Sequence, residues 1–422
     1  MYQVESSSDL LKSRSKFVLA NVSRTVLLLG LTSLLTDVSA EMVSSTFALY
    51  VLFTLHLAPV QFGLLDGLYQ GASALVKLAS GLLADRWGRQ RDVAAAGYGL
   101  SALSKLGLIV LGGAWNPLVA LTLIDRIGKG IRTAPRDALI AANSKDEHMA
   151  TSFGVHRAMD TVGAMIGPLL AFGLLALTPH RFDAIFVVSL CFAVLGLAVL
   201  MLFVDGRSTD GRGADGRGVG APKPQVNLQA AIGQVWRPEY RNLLLVSSAL
   251  GVFTLSDNFL FLQIQRRLEF NPSLLPLLAV GSGLAYMLLA VPVGRLADRA
   301  GRLNVFFAGY GLLLLTYCSL LLPRFGWLEV PVYLILLGSF YAATDGVLMA
   351  VASLKLDPAL RTSGLAALTT ATGLARFVAS VVFGALWSWL GPNVAVMAFA
   401  VALAVTLALG LVVLPRLARP TP

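Results

Sequence analysis

Apolar residues in this chain fall in long unbroken runs. They show neither the alternation of a strand nor the single stripe of a soluble amphipathic helix. Twelve such runs follow one another, roughly 25–52, 62–84, 92–113, 116–142, 150–177, 183–204, 240–265, 274–297, 303–322, 330–355, 361–389 and 393–415. Each is long enough to cross a bilayer as a helix, which takes about 20 residues. Strands in lipid would read as short alternating segments, so the expected fold is an all-α integral membrane protein. The one long polar stretch repeats Asp205-Gly-Arg207, Asp210-Gly-Arg212 and Asp215-Gly-Arg217 ahead of Pro222 and Pro224. Gly at that density cannot build a core. The expected organisation is a six-helix bundle over 1–204, a linker over 205–239 and a second six-helix bundle over 240–422. Val226, Leu228, Ile232 and Trp236 in the linker form an amphipathic segment suited to the membrane surface.

Composition agrees: 56% of residues are hydrophobic and only 13% charged. The net charge of +10 would suit a nucleic-acid partner were the basic residues on one exposed face. They lie instead on one side of the membrane. With the amino terminus inside, Arg181, Arg266, Arg267 and Arg324 are the four outside, while Lys77, Lys105, Arg126, Lys129, Arg157 and Arg376 sit within spans. That bias puts both termini in the cytoplasm of a multi-pass plasma (inner) membrane protein, in contact with lipid and not nucleic acid. Residues 1–20 carry Asp9, Lys12, Arg14 and Lys16 without a cleavable signal pattern, so the first span is expected to direct insertion. Cys191 and Cys318 have no metal or redox spacing and read as lipid-facing or core thiols. No hydrolase elbow, phosphate-binding loop or zinc motif occurs, so no enzyme, cofactor or metal is expected.

One charged turn occurs twice. Gly81-Leu-Leu-Ala-Asp85-Arg86-Trp-Gly88-Arg89-Gln-Arg91 returns as Gly294-Arg-Leu-Ala-Asp298-Arg299-Ala-Gly-Arg302, with Asn304 where the last arginine would stand. Ala-Gly-Tyr-Gly-Leu follows each copy, at 96–100 and 308–312. The turn resembles motif A of the major facilitator superfamily, which recurs between helices two and three and between eight and nine. The resemblance covers almost the whole chain. It implies twelve helices in two pseudo-symmetric six-helix bundles that expose a central site to each side in turn. It also implies that Gly81, Asp85, Arg86, Gly88, Arg89, Asp298, Arg299 and Arg302 form conformational latches. Asp85 would meet the start of helix eleven near Thr362–Gly364, and Asp298 that of helix five near Thr151–Gly154.

Ionisable residues within spans mark the candidate site, since each costs about 2.5–3.5 kcal/mol at the bilayer centre unless paired or hydrated. Asp37 and Glu41 share a face of helix one with Ser33 and Ser44. They are either proton carriers or carboxylates held by an arginine of helix four or five. Asp66, Tyr69, Gln70, Ser73, Lys77 and Ser80 form a polar stripe on helix two, in which Lys77 is a counter-ion or a substrate contact. Arg126 followed by Gly130 on helix four resembles motif B of the proton-coupled members. There the arginine tunes proton transfer or pairs with Asp37 or Asp160. Gly154, Gly163, Gly167 and Pro168 on helix five resemble the antiporter motif C, though Ala171-Phe172 replaces its closing glycine pair. His156 and Asp160 read as a structural pair, next to Arg157. Thr254 and Asp257 on helix seven, Asp345 on helix ten and Arg376 on helix eleven complete the cavity candidates.

These features point to a secondary active transporter, expected to be a monomer whose partners are its small-molecule substrate, protons and the lipid bilayer. The leading expectation is proton antiport that exports a small organic molecule. The alternative is a proton symporter taking up an organic anion, drawn by Lys77, Arg126, Lys129 and Arg376. A receptor that kept the fold without transporting is the remote third.

Overall fold

The computed structural model describes residues 22–87, 89–111, 113–144, 148–179, 181–204, 233, 236–324, 326, 328–356 and 361–414, with backbone alone at 74, 75, 77–87, 150 and 361–363. The described residues are helical throughout, with no strand. In the first half run α1 (Arg24–Leu49), α2 (Pro59–Trp87), α3 (Gln90–Leu111), α4 (Trp115–Ala142), α5 (Met149–Leu177) and α6 (Phe182–Phe203). In the second run α7a (Pro238–Val252), α7b (Asp257–Leu268), α8 (Leu275–Ala300), α9 (Arg302–Leu321), α10 (Glu329–Leu354), α11 (Arg361–Leu390) and α12 (Pro392–Val413). Ten helical segments, counting α7a–α7b as one, are long and apolar enough to cross a membrane. The other two, α2 and α4, carry the polar stripes and pack against each other.

Helix ends follow local chemistry. Ser23 caps α1 by accepting from the Val26 N–H, and prolines open α7a and α12 where no N–H is needed. Gly301 and Gly391 make the α8–α9 and α11–α12 turns at φ 94° and 86°, a region that side chains disfavour.

Packing repeats with a shift of six. In the first half α1 lies against α5 and α6, α3 against α4 and α6, and α2 against α4. In the second, α7a lies against α11 and α12, α9 against α10 and α12, and α8 against α10. The duplicated turn is thus the sequence trace of a duplicated bundle. The bundles meet through α2 with α11 and, less extensively, α5 with α8.

Helix seven departs from the single span expected over 240–265. It breaks at Phe253–Ser256. Tyr317 of α9, fully buried, satisfies the freed backbone: its hydroxyl accepts from the Leu255 N–H at 2.7 Å and donates to the Phe253 carbonyl at 3.1 Å. Ser256 then caps α7b. Thr254 and Asp257 therefore belong to different elements and do not share a helical face. Broken helices at membrane depth occur where the backbone is buried in protein or lines a cavity.

The basic residues before α6, at the end of α7b and before α10 are neutralised locally. Arg181 pairs with Asp183 at 2.8 Å and Arg324 with Glu269 at 2.9 Å. Arg267 holds Glu329 and the carbonyls of Leu320, Leu322 and Pro323. Both cysteines are free and exposed.

Candidate functional site

The seam between α2 and α11 is closed at one end, near the α2 start and the α11 finish. Gly63, Gly67 and Gly71 bring α2 onto the α11 backbone. A Cβ at Gly63 would run into the Ser380 carbonyl, and one at Gly67 would lie 2.8 Å from the Phe377 carbonyl. The Val60 N–H donates to Ser388 at 2.9 Å. Phe62, Phe259, Phe383 and Trp387 fill this end with edge-on and tilted ring contacts. Toward the other end, where the repeated turns lie, a Cβ at Gly154, Gly283 or Gly294 would meet nothing within 4 Å, and Arg157 is exposed. Asp345 and Arg376, mid-chain in apolar helices, are 52% and 33% exposed while 3.6 Å apart. Polar side chains exposed at such positions face a water-filled space.

In the first half the charges form two paired groups. Asp37 lies 3.6 Å from Arg132, whose guanidinium covers the Tyr98 ring at 4.7 Å. Asp160 sits 3.5 Å from His156 and 3.8 Å from Arg136, and both side chains also reach the Ser33 hydroxyl, His156 at 3.0 Å and Arg136 at 3.3 Å. The His156–Asp160 pair was legible from their i, i+4 spacing. Arg126 was expected to face Asp37 and Glu41. It bonds Asp125 instead, stacks 3.6 Å over the Tyr69 ring and shares Asp125 with Lys105. Glu41 remains in its electrostatic reach, together with Lys129 and Asp37. Six residues separate Arg126 from Arg132, about 240° around the helix, so only one of them can face α1.

Of the antiporter-like glycines, Gly163 and Gly167 lie on α1. A Cβ there would stand 2.5 Å from the Leu34 carbonyl and 2.7 Å from that of Val38. Gly154 borders open space, so it plays no part in that crossing. Pro168 is buried inside α5.

In the second half Tyr341 donates to Asp257 at 2.5 Å. A small cavity of about 10 Å³ bridges the halves between Gln70, Thr254, Leu255, Ser256, Tyr341, Arg376 and Ser380. The sequence reading used Asp66 only as one member of the α2 stripe. It is 1% exposed and accepts from Ser380 of α11 at 2.6 Å and Asn258 of α7b at 3.0 Å. The signal was present: Gly63, Gly67 and Gly71 at four-residue spacing flank it, a pattern for close helix approach.

Asp298 does not meet α5. It is exposed and accepts from Arg302 one turn on, at 2.9 Å, so the second latch residue is held within its own turn. Arg89 and Arg299 are exposed. Arg91 donates to the Met201 carbonyl at the end of α6. Gly88 and the side chains of Lys77, Gly81, Asp85 and Arg86 lie outside the described residues, as do Thr362 and Ser363, the DGR repeats and most of the amphipathic linker segment. Among the described residues no cluster of His, Cys, Asp or Glu could hold a metal ion.

The family model for the Major Facilitator Superfamily matches residues 29–269 and 258–422. The chain is 28% identical over 380 residues to an uncharacterised MFS-type transporter of Methanocaldococcus jannaschii, covering 87% of this chain and 89% of that one. A Mycobacterium tuberculosis protein is 34% identical over 159 residues, 38% of each chain. Among solved structures, the nucleoside transporter NupG superposes with a TM-score of 0.75 at 14% identity, over 93% of this chain and 99% of that one. A POT family transporter in complex with 5-aminolevulinic acid superposes at 0.72 and 13% identity, over 94% and 97%. At these identities the superpositions speak for the fold.

Proposed function

Because the chain belongs to the major facilitator superfamily and is a multi-pass membrane protein of secondary transport by alternating access, we propose that it is a proton-coupled symporter taking up a small organic solute with an anionic group. One observation carries this reading: among the described residues Arg157 is an exposed cation within the spans without an acidic partner, while Asp66 and Asp257 are carboxylates covered without a basic one. Among the described residues Arg157 is exposed and has no acid within 4 Å. The Arg132 Nη1 is buried with no hydrogen-bond partner, an unused donor beside Asp37. Asp66 and Asp257 are held by neutral hydroxyl and amide donors. Such carboxyls suit proton carriage, and an exposed guanidinium suits a carboxylate or phosphate. An anion entering against an inside-negative potential is opposed by about 2.3 kcal/mol per charge per 100 mV, which accompanying protons offset. The complex of a related-fold POT transporter with 5-aminolevulinic acid, which bears a carboxylate, is in keeping with this solute class.

The positive bias of the turns supports a topology with the open end of the cavity and both termini in the cytoplasm, and 205–239 as the linker between the bundles. Proton antiport with export remains the second reading, favoured by the Gly163 and Gly167 crossing on α1. Proteoliposomes with the outside acidified, offered a panel of anionic, zwitterionic and cationic solutes, separate the two. Symport gives inward accumulation of an anionic or zwitterionic solute; antiport gives expulsion of preloaded solute under the same gradient.

A further inference from the structure

Among the described residues Asp66 is a buried carboxylate that joins the two bundles at the closed end. Its Oδ2 accepts from Ser380 on α11 at 2.6 Å and its Oδ1 from Asn258 on α7b at 3.0 Å, with Ser256 beside it. The glycines of α2 bring its backbone directly against that of α11 on that face. Among the described residues no cation lies within 4 Å of it. Asp257 on α7b is within its electrostatic reach and is already held by Tyr341. On α11, Arg376 faces Asp345. On α4, Asp125 and Arg126 are bound to each other. A buried ionised carboxylate served by neutral donors alone is costly, whereas the neutral acid needs only such partners.

We propose that Asp66 is a proton-binding site whose occupancy seals the closed end, so that the carboxyl reads outside pH and commits the protein to face the other way. This deepens the proton-coupled reading and rests on it. When α2 parts from α11 and α7b, water reaches the carboxylate and supplies the proton. An O–H bond forms on Oδ2, and Ser380 turns from donor to acceptor as the seam closes. The cavity of about 10 Å³ beside Gln70, Ser256 and Ser380, room for roughly one water, then offers the proton a way toward Asp257 and the open side. There it leaves to water, and the ionised carboxylate favours reopening. Acid should therefore favour the sealed seam and alkali its opening.

The test uses the full chain in nanodiscs, with Cys191 and Cys318 replaced by Ser. Spin labels at Ala58→Cys and Trp389→Cys, both exposed ends of the seam, report the separation of α2 and α11 between about pH 5 and pH 9. The expected result is a short separation in acid that gives way to a longer one in alkali. Asp66→Asn, neutral at every pH, should hold the short separation and lose at least five-fold of the pH-dependent change. Ser380→Ala keeps the carboxyl, removes one of its hydrogen-bond partners and should displace the midpoint. It serves also if Asp66→Asn does not fold. A separation independent of pH in the parent, or an Asp66→Asn response like the parent's, overturns the proposal. So does an unmoved midpoint in Ser380→Ala. These readouts need no solute, so they can fail while proton-driven uptake stands, and uptake can fail while they hold.

Discussion

At the scale of single residues, the buried Lys105–Asp125–Arg126 group shows why intramembrane charge need not mean transport. One carboxylate serves two cations on α3 and α4, while Arg126 also covers the Tyr69 ring. Removing Asp125 strands both cations in a low dielectric, so Asp125→Ala should cost about 3–5 kcal/mol, read as lost thermal stability in detergent. Lys105→Met leaves Arg126 its partner and should cost clearly less. Equal losses would mean that the pair energies are not shared in this way. Arg157 differs because it is exposed and has no acidic partner among the described residues. For an anionic solute bound there, Arg157→Ala removes a charge-assisted hydrogen bond of about 1.5–3 kcal/mol, raising KM roughly 10- to 150-fold. Stability should barely change. An unaltered KM for every transported anion would remove Arg157 from the solute site.

Between helices, what the sequence made legible was whatever one helix decides alone. The twelve runs, the polar stripes and the His156–Asp160 spacing are properties of single segments, and the described helices follow them. The choice of Arg132 over Arg126 for Asp37 depends on how α4 rotates against α1. The break in helix seven depends on Tyr317, more than sixty residues away. Neither is written in local periodicity. Asp66 was legible in part, through its flanking glycines, but its partners Asn258 and Ser380 come from the other bundle. Two substitutions test these crossings. Tyr317→Phe leaves the buried Leu255 N–H and Phe253 carbonyl unmatched, at about 1–3 kcal/mol for each group. Gly163→Leu should prevent α1 from closing on α5, whereas Gly154→Ala, which would meet nothing within 4 Å, should be silent in the same melting assay. Similar melting of the two glycine variants would show that α1 and α5 do not cross at Gly163.

For the whole molecule, the repeated packing pattern and the unequal seam belong together. Two bundles of one design can meet symmetrically only if both ends are alike, and here they are not. The end at Val60 and Ser388 is sealed by glycine approach and aromatic rings, and the end that carries the repeated turns leaves open space beside Gly154, Gly283 and Gly294. Alternating access requires the sealed end to open in every cycle. The Ser388 Oγ accepts from the Val60 N–H at 2.9 Å, so the two residues are neighbours across the seam and a cysteine pair there is a test of its opening. In a background with Cys191 and Cys318 replaced by Ser, oxidised Val60→Cys/Ser388→Cys protein should cross-link and lose transport. Reduction should restore it, because the covalent link is then gone and the non-covalent seam can open again. Each single mutant should transport in both oxidising and reducing conditions. A cross-linked protein that still transported at the reduced rate would mean that the α2–α11 seam stays closed throughout the cycle, and the moving contact would then have to be α5 with α8.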